Sequence, residues 1–575
     1  VISNVTYQGS VWLSTSPSAT ITSAVEGAAL NLGEAMTPIT LNYTVNANAG
    51  GSSGTSGGSS AFAYANTKVA TGYHTSCAIL DNGGLKCWGS DGFGQLGDGG
   101  SNTNTNAPSS TAIDLGTGRT AVAVSVGTAH ACALLDNGDV KCWGADNSGQ
   151  LGDGGGYTNT NAPSATAIDL GTGRTAVAVS AGGLNSCAIL DNGDLKCWGR
   201  DDHGQLGDGG PAWTSSNPTD LLAPSSTAID LGTGRTAVAV AVDHHICAIL
   251  DNGDLKCWGR DDHGQLGDGG PAWTSSNPTD VNAPSSTAID LGTGRTAVAV
   301  SVGRGHTCAI LDNGNLKCWG WDDFGQLGDG GTPTNTNSPP STAVDLGSGR
   351  TAVAVAVGDQ HTCVILDNGT MKCWGRDHLG QLGDGGIGSH TSTTHVTSST
   401  AIDFGSGRTP VAVSATNAHN CAILDNGDLK CWGYDIGGQL GDGGSNTNQG
   451  SPVSVSGSDT WDSSTGLSSG SGSGSSGGMT DVTGASCSIS PSLPTGLSID
   501  SSTCTISGTP TVETINTTYT VTANISNVTY QGSVWLSTSP YATITSAVEG
   551  AALNLGEAMT PITLNYTSQA GSSTL

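Results

Sequence analysis

The stretch that decides the fold is CAILDNGGLKCWGSDGFGQLGDGG, residues 77–100, and close variants of it occur six more times in the 575-residue chain. In each copy, two cysteines separated by nine residues enclose an apolar run, an Asp-Asn-Gly triplet and a second short apolar run. Two apolar runs around such a triplet predict a β-hairpin, because Gly tolerates the positive φ that the turn requires.

The cysteine spacing predicts a disulfide within each hairpin. A three-residue loop over 81–83 places Leu80 opposite Gly84, and therefore Cys77 opposite Cys87, whereas a two-residue loop would pair Cys77 with Trp88. Opposed residues at a non-hydrogen-bonded pair lie about 4.5 Å apart at Cα, within disulfide reach. Zinc is the alternative, but structural zinc sites use cysteines two to four residues apart. The seven expected pairs are Cys77 with Cys87, Cys132 with Cys142, Cys187 with Cys197, Cys247 with Cys257, Cys308 with Cys318, Cys363 with Cys373, and Cys421 with Cys431.

Cysteine usage and charge restrict the environment and the partners. Paired cysteines predict an oxidising location, extracellular or at the cell surface. The net charge of −29 argues against a nucleic-acid partner, which requires a basic surface. No apolar run approaches the roughly 20 residues of a membrane span. The chain begins at Val1 without a basic-then-apolar leader, so we expect any secretory signal to be removed or to lie upstream.

The hairpins belong to a longer repeat whose first cysteines recur every 55 to 61 residues. Each unit also contains an alternating run such as RTAVAVSVG, a glycine-rich GQLGDGG segment and an APSSTAIDLG-like segment that we expect to end in a short outer strand. Four strands in each of seven units predict a seven-bladed β-propeller, which leaves few exposed sheet edges.

Residues 306–331, HTCAILDNGNLKCWGWDDFGQLGDGG, and their six relatives resemble the regulator of chromosome condensation repeat family. The resemblance covers residues 61–457 and implies the propeller fold. The founding role of that family is nucleotide exchange on a nuclear GTPase. Disulfides and strong acidity argue against this role here, and secreted members resemble protein-binding or scaffold modules.

A second domain is indicated on both sides of the propeller. Residues 479–523, with SPSLPTGLSIDSSTCTISGTPT, resemble the later strands of a bacterial-type immunoglobulin-like domain, and AALNLGEAMTPITLNYT (28–44) resembles its missing first strands. In this resemblance Cys487 replaces a common aromatic residue and Cys504 a usual Gly, and we expect them to pair. The fold class expected is therefore all-β, a seven-bladed β-propeller inserted into an immunoglobulin-like β-sandwich.

The ends of the chain repeat each other. Residues 2–44 return at 525–567, with a single difference, Ser18 in the first copy and Tyr541 in the second. This duplication predicts either a longer polypeptide or a neighbouring copy of the chain that completes the last sheet. Both alternatives predict a head-to-tail filament. The expected divisions are a repeat-junction segment (1–27), the first immunoglobulin-like strands (28–44), a Gly/Ser linker (45–60), the propeller (61–457), a second linker (458–478), the rest of the immunoglobulin-like domain (479–524) and the start of a next repeat (525–575).

Other candidate sites are less specific. A His precedes the first cysteine in six units, and we expect it to satisfy an inter-strand backbone hydrogen bond rather than to bind metal. We expect no cofactor, with weak calcium binding by the LGDGG aspartates as the alternative. Trp213 and Trp273, in an inserted PAWTSSNPTD loop, are candidate contacts for glycan or protein, or else pack on a neighbouring blade. The glycosylation sequons are at Asn4, Asn42, Asn368, Asn516, Asn524, Asn527 and Asn565.

These observations favour two functions. No nucleophile–base pair, phosphate loop or nucleotide fingerprint is recognisable, so we expect no enzymatic activity. The first hypothesis is a structural repeat unit of a large extracellular fibre, filament or surface layer that binds copies of itself head-to-tail. The second is an adhesin or binding module that recognises glycan or protein through the propeller loops.

Overall fold

The structure is a computed structural model that describes residues 67–462, except 211–219, 271–279, 388–400 and 406, together with short backbone segments within 19–45 and 486–574. The chain divides into two compact units, Gly58–Gly478 and the combination of Val1–Gly57 with Met479–Leu575. All regular elements of the described residues are strands. The first four are β1 (Ala19–Ile21), β2 (Leu30–Asn31), β3 (Ile39–Thr40) and β4 (Tyr43–Val45).

The unit Gly58–Gly478 is a seven-bladed β-propeller, in which each blade is an antiparallel sheet. The strands are β5 (Val69–Thr71), β6 (Thr75–Ile79) and β7 (Leu85–Gly89) in blade 1; β8 (Ala121–Val126), β9 (His130–Leu135) and β10 (Val140–Gly144) in blade 2; β11 (Ala176–Gly182), β12 (Asn185–Leu190) and β13 (Leu195–Gly199) in blade 3; β14 (Ala237–Val242), β15 (His245–Leu250) and β16 (Leu255–Gly259) in blade 4; β17 (Ala297–Val302), β18 (His306–Leu311) and β19 (Leu316–Gly320) in blade 5; β20 (Ala352–Val357), β21 (His361–Leu366) and β22 (Met371–Gly375) in blade 6; and β23 (Pro410–Thr416), β24 (His419–Leu424), β25 (Leu429–Gly433) and β26 (Gln449–Ser454) in blade 7.

The hairpin turn sets the cysteine register. Leu80 N–H donates to the Gly84 carbonyl (2.8 Å), and Gly83, at φ 79°, donates to the Leu80 carbonyl (2.9 Å). The antiparallel register that continues from this turn along β6 and β7 places Cys77 opposite Cys87, at a Cα separation of 4.1 Å.

The other six hairpins contain the same disulfide between directly opposed residues, with Cα separations of 4.0–4.1 Å. These bonds join Cys132 with Cys142, Cys187 with Cys197, Cys247 with Cys257, Cys308 with Cys318, Cys363 with Cys373, and Cys421 with Cys431. In each hairpin the first cysteine is fully buried, and the second, in the third strand of its blade, is at most 6 % exposed. Each bond therefore links the second and third strands of a blade inside the core, and no cysteine of the propeller is left to bind zinc.

The core of the propeller lies between adjacent blades. Ile79 and Leu85 of blade 1 pack with Val124 and Trp143 of blade 2 in one buried cluster, and equivalent clusters follow around the ring. The indole Nε1 of Trp143 donates to the Gln95 carbonyl of the preceding blade (3.0 Å). Every repeated Trp makes this contact, so each Trp both fills a core and joins two blades.

The expected fourth strand forms only in blade 7 of the described residues. In blade 1 the outer segment contacts β7 through a Thr105–Gly89 bridge and an Ile113 N–H to Leu85 carbonyl hydrogen bond of 2.8 Å. Ile113 follows Thr105 by eight positions in the chain, whereas their partners Leu85 and Gly89 are only four positions apart, so the excess chain loops away from the sheet. In blade 7 the corresponding step, from Gln449 to Val455, is only six positions for the same four along β25, and there β26 forms.

The ring is closed by residues that we expected in the second linker. Trp461 is 3 % exposed, pairs with Leu80 and packs on Trp88 at a ring-centroid distance of 5.6 Å. In blade 2 the residue equivalent to Leu80 is Leu135, and it pairs with Ala121 of the inner strand, so Trp461 takes the position of Ala121 in blade 1. Residues 460–462 and β5 together therefore form the inner strand of blade 1. Lys68 and Asp462 form an ion pair (2.9 Å) where these two segments meet.

The other unit contains sheets that combine both ends of the chain. Its later strands are β27 (Ser486–Ser490), β28 (Leu497–Ile499), β29 (Thr505–Gly508), β30 (Thr514–Ile525), β31 (Val528–Ser539), β32 (Ala542–Ile544), β33 (Asn565–Ser568) and β34 (Gly571–Thr574). One sheet has the order β2-β31-β30-β27 and another the order β28-β29-β3. Strands from 28–44 therefore pair with strands from 479–524 and also with β31.

The position of β31 differs from the expected division at residue 524. β31 lies in the segment that we assigned to a next repeat, yet it pairs antiparallel with β30 from Ile525–Val528 to Thr514–Thr538. Two long strands that follow each other directly in the chain pair at low entropic cost, because little chain has to be ordered to bring them together.

Candidate binding site at one end of the propeller channel

The turns between the first and second strands differ in sequence from blade to blade, whereas the hairpin turns do not. The hairpin turns read Asp-Asn-Gly in all seven units. The first turns read instead TGYH (71–74), VGTAH (126–130), AGGLN (181–185), AVDHH (241–245), VGRGH (302–306), VGDQH (357–361) and ATNAH (415–419). Equivalent backbone positions therefore carry aromatic, apolar, acidic, basic and amide side chains.

These turns converge on one cavity. It encloses about 290 Å³ and is lined by residues from all seven blades, which places it at one end of the central channel. Its charged lining residues are Arg200, Asp243, His244, Arg304 and Asp359. Ligand pockets enclose about 300–1,000 Å³, so this cavity has the size of a site for a small molecule.

Arg304 and Asp359 lie on the turns of the adjacent blades 5 and 6. Arg304 is exposed, and Asp359 is half-buried in the cavity wall. Within the described part of the chain, neither side chain makes a hydrogen bond or an ion pair, either with the other or with a third residue. Burial, with the nearby Asp243 charge as the second cause, raises the pKa of the Asp359 carboxyl to about 6.

The remaining charged groups of the cavity are already paired. Asp243 is buried and accepts from the imidazole Nδ1 of His244 and from its backbone N–H. Arg200 forms an ion pair with Asp202. The cavity thus contains one basic and one acidic side chain without a hydrogen-bond or ion-pair partner among the described residues, beside Arg200, Asp243 and His244, which each have one.

Arg304 also differs from the repeated arginines. Six arginines in the Gly-Arg-Thr loops form ion pairs with the aspartate of an Asp-Asn-Gly turn, at 3.2–3.4 Å: Arg119–Asp136, Arg174–Asp191, Arg235–Asp251, Arg295–Asp312, Arg350–Asp367 and Arg408–Asp425. Arg376 lies over the Phe324 ring, 4.7 Å from its centroid. Arg304 has no such structural role.

The repeated histidines connect blades and do not line the cavity. Five are fully buried, and each places Nε2 beside a side chain of the next blade: His130–Ser186, His245–Thr307, His306–Thr362, His361–Asn420 and His419–Ser76. We expected a backbone partner; His130 has one in Asn185, and all five histidines also have these side-chain partners. Burial lowers the pKa of His306 to about 3, so this ring is neutral at physiological pH.

Two of these pairs have the spacing of a nucleophile and its base, and in both the Ser hydroxyl donates its only proton to a carbonyl: Ser186 to Gln150 (2.9 Å) and Ser76 to Gln439 (2.8 Å). In the second pair Ser76 Oγ lies 2.9 Å from His419 Nε2. The imidazole must therefore donate to the hydroxyl and cannot accept from it. Both side chains are fully buried, so no substrate reaches them. The contact holds two blades together.

The LGDGG aspartates organise turns. Asp98 Oδ1 accepts from the Gly100 backbone N–H (2.8 Å), and the other six units repeat this contact. Across the described ranges, no group of three or more His, Cys, Asp or Glu side chains is arranged to hold a metal ion.

The structure describes only some of the other predicted site residues. Asn368 is exposed on a hairpin turn of the propeller. The backbones of Asn516 and Asn524 lie in β30, that of Asn565 in β33 and that of Cys487 in β27. Trp213, Trp273, Cys504, Asn4, Asn42 and Asn527 lie outside the described residues. No helix that is long and apolar enough to cross a membrane occurs in the part of the chain that the structure describes.

Solved structures support the fold. The structure of Prp20p from Saccharomyces cerevisiae superposes with a TM-score of 0.55 and 18 % sequence identity, over 72 % of this chain and 91 % of that chain. A Putative Ig domain model matches residues 444–546 of the sequence.

Sequence comparisons identify the propeller. The ultraviolet-B receptor UVR8 of Arabidopsis thaliana is 31 % identical over 339 residues, which cover 59 % of this chain and 70 % of UVR8. The human E3 ubiquitin-protein ligase HERC2 is 30 % identical over 267 residues, only 5 % of its length. The Regulator of chromosome condensation (RCC1) repeat model matches residues 352–381 and 411–439. Because the RCC1-like domain model matches residues 48–349, more than half of the sequence, the chain belongs to the RCC1-like domain family.

Proposed function

We propose that the chain is a non-enzymatic extracellular binding module whose propeller captures its ligand in the channel cavity. The observation that carries this proposal is the convergence of the variable turns of all seven blades on one cavity, while the hairpin turns stay identical. A purely structural ring has no need for different side chains at equivalent positions. Loops held by a rigid scaffold are where proteins commonly place binding residues.

The chemistry of the described residues supports binding rather than catalysis. Each of the two buried Ser–His pairs has its hydroxyl proton committed to a carbonyl, and the unpaired charges lie in an open cavity. Seven disulfides support an extracellular location, because reducing compartments keep thiols free. In this role the chain would act as an adhesin or receptor-like module, with Trp213 and Trp273 as additional contacts for glycan or protein.

A comparison of two arginines in blade 5 tests the proposal. The full chain is applied to glycan and peptide arrays and to a panel of small metabolites, as wild type, Arg304→Gln and Arg295→Gln. Arg295 is the matched control, because its exposed ion pair with Asp312 contributes at most about 1 kcal/mol to stability. We expect a bound ligand that is lost with Arg304→Gln and retained with Arg295→Gln. A screen without any ligand, or a ligand that binds all three proteins equally, contradicts the proposal.

A second candidate function, the repeat unit of an extracellular filament, rests on the duplicated ends. The pairing of β1 with β4 (Ala19 opposite Val45) recurs as that of β32 with β33 (Ala542 opposite Ser568). Residues 5–16 have the same sequence as β31, which pairs with β30. In an assembly, residues 5–16 of one copy would therefore take the place of β31 beside β30 of another, head-to-tail. Electron microscopy of concentrated full-length protein should show strings with one propeller per repeat, and discrete monomers contradict this candidate.

A further inference from the structure

We propose that the channel cavity binds a small zwitterion, a free α-amino acid, with its ammonium group on Asp359 and its carboxylate on Arg304. This inference rests on the proposed function and names the class of ligand. Both side chains line the same cavity from the neighbouring blades 5 and 6. They are its only charged side chains without a hydrogen bond or an ion pair among the described residues.

An uncompensated charge in the cavity wall is costly. Asp359 is half-buried there, where an unpaired carboxylate is unfavourable unless a cation approaches it. Six repeated arginines of the same propeller each have an aspartate partner, so ion pairing is the normal arrangement in this fold. Arg304 and Asp359 lack an ion-pair partner among the described residues, although they are close enough to affect each other electrostatically. A ligand with both charges would satisfy both groups.

The rest of the cavity suits a small polar molecule. Tyr73, Thr128 and Asn417 contribute hydroxyl and amide groups from three other blades, and Leu184 contributes apolar surface. A guanidinium group binds a carboxylate through two parallel hydrogen bonds, which makes Arg304 the natural partner of the ligand carboxylate. A volume of about 290 Å³ suits a free amino acid and excludes a folded protein domain.

Binding should depend on pH through Asp359. The groups that face this carboxyl are Asp243, which raises its pKa, and His244 and Arg304, which lower it, while burial raises it most. The pKa of about 6 means that the carboxyl becomes neutral as the pH falls through 6, and a neutral carboxyl attracts an ammonium group weakly. Affinity should therefore fall on acidification, and Asp359→Asn should remove this dependence.

Calorimetric titration of the full chain with each of the twenty free L-amino acids tests the inference. We expect at least one to bind and its N-acetyl and carboxamide derivatives to bind weakly, because each derivative lacks one charge. Asp359→Asn and Arg304→Gln should each reduce the affinity by about 30-fold or more, the loss typical of removing one partner of a desolvated charge pair. Arg295→Gln is the control and should bind as the wild type does.

Three outcomes would overturn the inference: no amino acid binds at millimolar concentration, the blocked derivatives bind equally well, or Asp359→Asn binds as the wild type does. The two proposals can fail separately. If amino acids do not bind but an array ligand still requires Arg304, the zwitterion assignment is wrong and the binding function stands. If no ligand requires Arg304, both proposals are wrong.

Discussion

Substitution of a single glycine should show how strongly the GQLG motif connects neighbouring blades. Gly97 and Gly118 have almost the same backbone conformation, with φ of 70° and 72°. A Cβ on Gly118 would meet no atom within 4 Å, whereas a Cβ on Gly97 would lie 2.4 Å from Trp143 Nε1. Gly118→Ala should therefore lower the free energy of unfolding by only about 1–2 kcal/mol, the cost of placing a residue with a Cβ in the left-handed conformation. Gly97→Ala incurs the same strain and must also displace a fully buried indole ring.

The additional loss follows from two contacts of Trp143. Overpacking a core costs about 1–3 kcal/mol. Displacement of the ring also breaks its 3.0 Å hydrogen bond to the Gln95 carbonyl, and a buried donor left without an acceptor costs about 1–3 kcal/mol. Gly97→Ala should thus be about 2–6 kcal/mol less stable than Gly118→Ala. Urea denaturation of both oxidised variants, followed by tryptophan fluorescence, measures the difference. Equal free energies of unfolding would refute the view that glycine is required here to admit the indole of the next blade.

Three further predictions concern ring closure, acid and the disulfides. Trp461→Ala should destabilise the propeller by about 3–5 kcal/mol in denaturant, since Trp461 is buried against Trp88, whereas Tyr157→Ala, at a side chain that is 54 % exposed, should change stability by less than about 0.5 kcal/mol. The pKa of His306 is about 3 when folded and 6.5 when unfolded, so the contribution of this neutral ring to the free energy of unfolding is complete above pH 6.5 and is lost as the pH falls. Between pH 6 and 4 the free energy of unfolding of the wild type should fall by about 1.4 kcal/mol per pH unit relative to that of His306→Gln. Parallel stability curves for the two proteins would disprove this. Replacing both Cys308 and Cys318 by Ala should lower the free energy of unfolding by about 2–3 kcal/mol, and non-reducing peptide mapping should find the other six hairpin disulfides intact and also Cys487–Cys504.

The sequence by itself determined the blades, because a blade is built from local contacts. The Asp-Asn-Gly turn sets the register of two adjacent strands, and that register places Cys77 opposite Cys87 without help from the rest of the chain. The same reasoning could not predict the outer strands. An outer segment becomes a strand only if the chain between its two contacts with the third strand is about as long as the stretch of third strand that it covers. Those two contacts are known only once the sheet is built.

Tertiary structure decided how the ring closes and where the candidate site lies. Trp461 belongs to no repeat unit, and it becomes part of a blade only because the two ends of the ring meet. Arg304 and Asp359 occupy equivalent turns 55 residues apart, in segments with no recognisable motif. Each looks like an ordinary solvated charge in the sequence. Closure of seven blades around one axis brings their first turns to a common cavity, so the shared position of these residues in the cavity wall arises from the curvature of the ring and not from any local pattern.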